Sequence, residues 1–171
     1  MKRYNTTNVA EWAHLVRERE EILLSGTVIT ARDAAHKRIF ELLDKGEKLP
    51  FEIAGATIYY AGPTPARPGA VIGSCGPTTS SRMDVYMERL LDLGLMCTIG
   101  KGWRSPEVCE SIRRHGAVYL CAIGGAGALA SACITSCEVI AFEDLGCESV
   151  KKLTFVDFPL IVAVAPGGAA R

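Results

Sequence analysis

The sequence predicts a single α/β domain of three layers, and three observations predict it. Short apolar, β-branched runs alternate with stretches of helical periodicity through the middle of the chain. Further β-rich segments stand towards both ends. The 171 residues, 49% hydrophobic and 22% charged, suit one globular unit with a sizeable core. Residues 1–171 are therefore read as one domain, with 1–8 and 166–171 as loose ends.

The elements follow in order. Val9–Arg19 carries Val9, Trp12, Ala13, Leu15 and Val16 on a helical stripe and runs into a charged, solvated turn. Ile22–Ile29 is apolar and β-branched, and Ser25-Gly26 inside it marks a bend or bulge. Thr30 is placed to cap the next helix, with Asp33 at the capping-box position. Ala34, Ala35, Ile39, Leu42 and Leu43 give that helix its buried stripe, His36 reads as a polar residue on it, and Gly46 ends it. Thr57–Ala61 is a strand, Gly62–Gly69 a proline-rich irregular loop, and Ala70–Ser74 a second short strand.

A helix over Ser81–Leu93 follows, then a strand over Leu95–Ile99. Ser105 and Pro106 are N-cap and first residue of a helix reaching about His115. Ala117–Ile123 and Glu138–Phe142 are strands, separated by a small-residue helix that opens at Gly124. Val150–Val156 and Leu160–Val164 flank Asp157-Phe158-Pro159 and read as a hairpin or two adjacent strands.

Charge and composition exclude some functions. Nineteen basic and nineteen acidic residues cancel, so no global field draws the chain to nucleic acid or to an anionic membrane. No apolar run approaches the roughly 20 residues of a membrane span, and Met1–Thr7 lacks the apolar core of a signal peptide, so the cytoplasm is the expected location. The seven cysteines, Cys75, Cys97, Cys109, Cys121, Cys133, Cys137 and Cys147, form no C-x-x-C pair. They read as reduced structural thiols, with no metal site in this chain.

The densest chemistry lies in Val71–Asp84. An apolar run ends in glycine, and a proline, four hydroxyl residues (Thr78, Thr79, Ser80, Ser81) and Arg82 precede a helical pattern. A helix N-terminus with hydroxyls and an arginine suits an anion, although an ordinary Ser/Thr cap has the same appearance. Arg32 stands in the first turn of its helix, where a cation opposes the dipole; it has either a specific anionic partner or an ion pair with Asp33 or Glu41. Lys101 lies between Gly100 and Gly102, which let the backbone turn it towards a ligand. Gly125, Gly127 and Ala130 match a loose dinucleotide-binding pattern, with Glu143 after the next strand, so a small dinucleotide-binding module is a rival reading.

Gly76-Pro77-Thr78-Thr79-Ser80-Ser81-Arg82-Met83-Asp84 resembles the GPTT-x-x-R-M-D signature of class I (iron–sulfur) fumarases, in their C-terminal domain or separate β subunit. Four further blocks agree in order and spacing: Thr30–Lys37, Tyr60–Pro65, Gly100–Ser105 and Phe142–Gly146. The resemblance covers most of the chain, from about Leu23 to about Val164. It implies a swivelling β/β/α domain. It further implies that Arg32, Arg82 and Lys101 bind the carboxylates of a dicarboxylate substrate (fumarate or malate), with Thr78 as the proposed base.

A [4Fe–4S] cluster would sit on a partner α subunit in an αβ or α2β2 assembly. A serine at 81, where the family usually has glycine, and the missing Gly-Asn-Asp tail are departures. The L-tartrate dehydratase β subunit shares the Thr-x-x-Arg block and is the nearest rival; a non-catalytic scaffold of the same fold is another.

Overall fold

The computed structural model describes residues 1–122 and 127–168, and for 127–129 the backbone only. It is a mixed α/β structure with one seven-stranded sheet. The strands are β1 (Lys2–Asn5), β2 (Glu21–Thr30), β3 (Thr57–Tyr59), β4 (Cys97–Gly100), β5 (Val118–Cys121), β6 (Ile134–Ala141) and β7 (Val150–Val164). The helices are α1 (Val9–Trp12), α2 (Asp33–Asp44), α3 (Asp84–Asp92), α4 (Pro106–Arg114) and α5 (Gly127–Ala132).

Two long antiparallel strands, β2 and β7, organise the sheet, with Glu21 opposite Ile161 and Ile29 opposite Lys152. The other edge of β2 is shared by β1 and β3, and that of β7 by β6 and β5. β3, β4 and β5 pair in parallel, with α3 and α4 as their crossovers, as parallel strands require. The pairings β2–β3, β3–β4, β4–β5, β5–β7 and β7–β2 thus form a closed circuit.

Apolar residues fill both sides of the strands. Ile58, Tyr60, Tyr119, Val150 and Val164 pack with Ile39 of α2, Met87 and Leu90 of α3 and Ile112 of α4. Leu24, Val28, Tyr59, Ile99, Leu120, Phe155 and Val162 form a second core, closed by Val9 and Trp12 of α1. Phe155 and Phe158 stack at 4.3 Å and Tyr59 meets both edge-on. Each such side chain contributes about 1.5–3 kcal/mol by leaving water, so these strands are among the most firmly held parts of the chain.

Several expectations are corrected. Residues 1–8 are not loose: Lys2–Asn5 pairs with β2, Tyr4 stacks on Trp12 at 4.8 Å, and the Trp12 indole donates to Asn5 O at 2.9 Å. The tail is tied as far as Gly168, whose carbonyl accepts from Glu18 N at 2.9 Å. The first helix is a single turn, because the stripe Val9, Trp12, Val16 is buried without a long helix to carry it. Ala70–Ser74 makes no strand; Thr64 and Ser74 tie the loop to itself instead. Ser80–Met83 is a 3-10 turn, and α3 begins only at Asp84.

Asp157-Phe158-Pro159 is not a turn either, since β7 continues through it without reversing. Asp157 takes a left-handed conformation (φ 47°) and donates its N–H to Ser25 Oγ at 2.9 Å, beside the bulge at Leu24/Gly26. Thr30 does not cap α2: its hydroxyl accepts from Lys151 N at 3.0 Å. The N-terminus of α2 is met by the Glu148 carboxylate, which accepts from Ala34 N at 3.1 Å.

Candidate active site

Three segments converge at the ends of β3 and β4. The chain leaving β3 accepts at Tyr60 O from Thr78 N (2.7 Å). Thr79 bridges in parallel to Lys101, with Lys101 N donating to Thr78 O (3.3 Å) and Ser80 N to Lys101 O (2.9 Å). Only glycine allows this approach at position 100, where a Cβ would lie 1.9 Å from Ser80 Oγ and 2.8 Å from the Tyr60 ring. The main chains of Thr78 and Lys101 are thereby locked together.

The third segment is the start of α2. Arg82 grips Asp33 with both prongs, Nε to Oδ1 at 3.0 Å and Nη2 to Oδ2 at 2.7 Å. Its remaining nitrogen, Nη1, donates to Thr78 Oγ1 at 3.5 Å. Arg32 Nη2 lies 3.7 Å from Asp33 Oδ2, so one carboxylate stands between two guanidinium groups. Gly62 lets the chain pass close to Arg32, since a Cβ there would be 3.1 Å from Arg32 Cδ. The structure therefore gathers Arg32 and Arg82 around Asp33, joins Thr78 to them through Arg82 Nη1, and fixes Lys101 through its backbone. Lys101 is half-buried, and among the described residues its ammonium has no carboxylate partner.

The profile of the fumarase C-terminus family matches residues 3–170. The chain belongs to that family. Fumarate hydratase 2 of Leishmania major is 42% identical over 149 residues, covering 86% of this chain and 26% of that protein. The aerobic class I fumarate hydratase of Escherichia coli is 42% identical over 147 residues, 85% of this chain and 27% of the enzyme. The L(+)-tartrate dehydratase subunit beta of Escherichia coli is 31% identical over 174 residues, 98% of this chain and 85% of the subunit. The chain spans about a quarter of the length of the fumarate hydratases it matches.

In this fumarase C-terminus domain a buried arginine joins three of the sequence blocks, Tyr60–Pro65, Gly76–Asp84 and Gly100–Ser105. The Arg104 side chain is fully buried. It donates to Asp84 Oδ1 (2.8 Å), Tyr60 Oη (3.0 Å), Thr98 Oγ1 (3.1 Å) and Ser80 O (3.4 Å), and lies over the rings of Tyr60 and Tyr119. Asp84 also accepts from Ser105 N (2.9 Å), and Tyr119 Oη bridges to Ser80 Oγ (2.7 Å) and Gly102 O (2.8 Å). Burial works against the charge of Arg104, but the Tyr60 hydroxyl and the Asp84 carboxylate outweigh it and its pKa is raised. The sequence gives no sign of this burial, because an arginine inside a polar block carries no periodicity.

His36 is a second departure. It is buried, stacked on Tyr86 at 5.2 Å and edge-on to Tyr60 at 5.6 Å, with Nδ1 hydrogen-bonded to Arg32 O at 2.8 Å. Since that oxygen only accepts, Nδ1 carries the proton. Burial pushes its pKa down to about 4, so the ring is neutral and braces the turn that carries Arg32. Asp144 pairs with Arg38 (2.8 Å), and with Glu148 this explains why the Phe142–Gly146 block accompanies α2.

Ser81 is exposed and has no positive φ, so the serine fits its turn. The dinucleotide-like pattern falls partly on residues 123–126, outside the described residues. All seven cysteines are free, and burial pushes Cys75 and Cys97 up to about 12. Among the described residues, the one converging group of three metal-ligating side chains is Glu88, Asp92 and His115, which contains no cysteine. No helix among them is long and apolar enough to cross a membrane.

Proposed function

We propose that this chain is the β half of a class I fumarate hydratase, catalysing reversible hydration of fumarate to (S)-malate with an iron–sulfur α subunit. The observation that carries the reading is the convergence of Arg32, Thr78 and Arg82, with Lys101 locked beside Thr78, in a chain of the fumarase C-terminus family. Two guanidinium groups and an ammonium suit the two carboxylates of such a substrate. Thr78 Oγ1 accepts from Arg82 Nη1, and that cation favours a deprotonated or strongly polarised hydroxyl, as proton transfer at carbon requires.

Among the described residues the one converging group of three metal-ligating side chains contains no cysteine, and we assign the [4Fe–4S] group to the partner, where it would supply Lewis-acid chemistry for the hydroxyl. The strand circuit with α2–α4 on one core supports the swivelling β/β/α reading of residues 1–171 as one domain, and the cytoplasm is the location assigned to the αβ or α2β2 enzyme. The second reading is an L-tartrate dehydratase β subunit, favoured by the 85% of that subunit's length which the chain covers.

Anaerobic hydration of fumarate, with this chain alone and with the iron–sulfur partner, tests the reading. Activity is expected only in the mixture. Thr78→Val should cut kcat about a hundredfold or more with little change in KM, and Arg82→Ala should abolish turnover while the complex still forms. Dehydration of tartrate without activity on fumarate would select the second reading, and a mixture inactive on both would overturn the first.

A further inference from the structure

We propose that Trp103 and Val85 form the anchor by which this domain seats the chain that completes its site. The proposal rests on the half-enzyme reading above and adds the surface through which the halves meet. Trp103 is 91% exposed and Val85 81% exposed. Tryptophan is highly buried on average, and among interface residues it is one of the types that most often carry the binding energy.

Neither side chain hangs on a slack segment. Trp103 follows Gly102, whose carbonyl accepts from Tyr119 Oη at 2.8 Å, and precedes Arg104, whose side chain is fully buried. Val85 follows Asp84, and Asp84 is the carboxylate that Arg104 Nε meets at 2.8 Å and Ser105 N at 2.9 Å. The two apolar side chains therefore flank one ion pair that fixes the backbone beneath both. A surface ordered beforehand loses little freedom on docking.

The same surface continues into the cation site. Lys101 is two residues before Trp103, and Arg82, with its side chain 51% exposed, is three residues before Val85, in the 3-10 turn that leads directly into α3. In the fumarate hydratases this chain matches, it accounts for only 26% and 27% of the protein. The remainder has to reach the cations of this domain for a shared site to form. An apolar anchor at the rim of those cations holds it there and excludes water from them.

The test uses the intact chain and its iron–sulfur partner. Trp103→Ala should raise the Kd of the complex about tenfold or more by calorimetry, with the thermal midpoint of the free chain unchanged. At saturating partner its kcat should return to that of the unmodified chain. Val85→Asp should weaken the complex independently. The only other tryptophan, Trp12, is buried. A blue shift of emission on adding partner should therefore vanish in Trp103→Phe. If the unmodified chain forms the complex and both variants bind as well as it does, the anchor is refuted while the half-enzyme reading stands. If the unmodified chain forms no complex and the mixture is inactive, the half-enzyme reading fails first and the anchor with it. A self-dimer in light scattering that Trp103→Ala abolishes, with partner binding intact, would assign the surface to a second copy and overturn the proposal.

Discussion

Arg104 keeps its charge inside the protein only because four oxygen acceptors and two aromatic faces surround it. Arg104→Leu would leave Asp84 without its ion-pair partner, and breaking such a pair costs about 3–5 kcal/mol. Urea unfolding at neutral pH should show that loss. His36 gives a different prediction, set by pH. The unfolded chain binds a proton there near pH 6.5, the folded chain only near about 4. Between those values the unfolded state holds more protons, so stability falls as pH drops, by roughly 3 kcal/mol in full. His36→Phe keeps the ring contact, loses the bond to Arg32 O, and should lose this slope in unfolding midpoints compared at pH 7 and pH 4.5.

At this scale the sequence was informative where chemistry and backbone signals coincide. Thr78, Arg82 and Lys101 stand beside glycine and hydroxyl residues, and Arg32, read from the sequence as a first-turn residue, is the extended residue immediately before α2. Asp33 was legible as a capping-box acid or as an ion-pair option for Arg32 but not as the ligand of Arg82, because that bidentate partner is 49 positions away.

At the scale of elements, the bulge of β2 shows how one residue shapes a strand. Gly26 has φ 115°, and a Cβ there would lie 2.3 Å from Thr6 Oγ1 and 2.7 Å from Asn5 Oδ1. Gly26→Ala should cost about 1–3 kcal/mol through strain and displacement of the turn after β1, read as a lowered thermal midpoint. Ser25-Gly26 signalled this bend in the sequence. Asp157-Phe158-Pro159 gave the same kind of signal but with stronger breakers, and suggested a reversal of direction or a break into two adjacent strands. The reversal does not occur because Leu23 pairs with Pro159 and Leu24 with Phe158, so both strands bend together. Local composition marks where a chain deviates; whether it kinks or turns back is decided by the neighbouring strand. The brevity of α1 has the same origin, since Val9, Trp12 and Val16 are buried by the sheet.

At the scale of the molecule, alternation along the sequence revealed α3 and α4 and the parallel run β3–β4–β5, because crossover units are local. The closure through β7 was not legible, since it joins Glu21 to Ile161 and no short window contains both. That long separation sets an order of events. While a ribosome is making the chain, β2 emerges early with the edge β7 will occupy still bare, and the ring cannot shut until the latest of its strands has left the exit tunnel. Folding must wait for this non-local pairing, which favours milliseconds to seconds over microseconds. A chain ended after Ser149 should elute as an expanded species in size exclusion and lack near-ultraviolet dichroism. Until β7 arrives, the unpaired β2 edge is open to misassociation with other nascent chains, and a chaperone covering it would keep the chain able to close its ring.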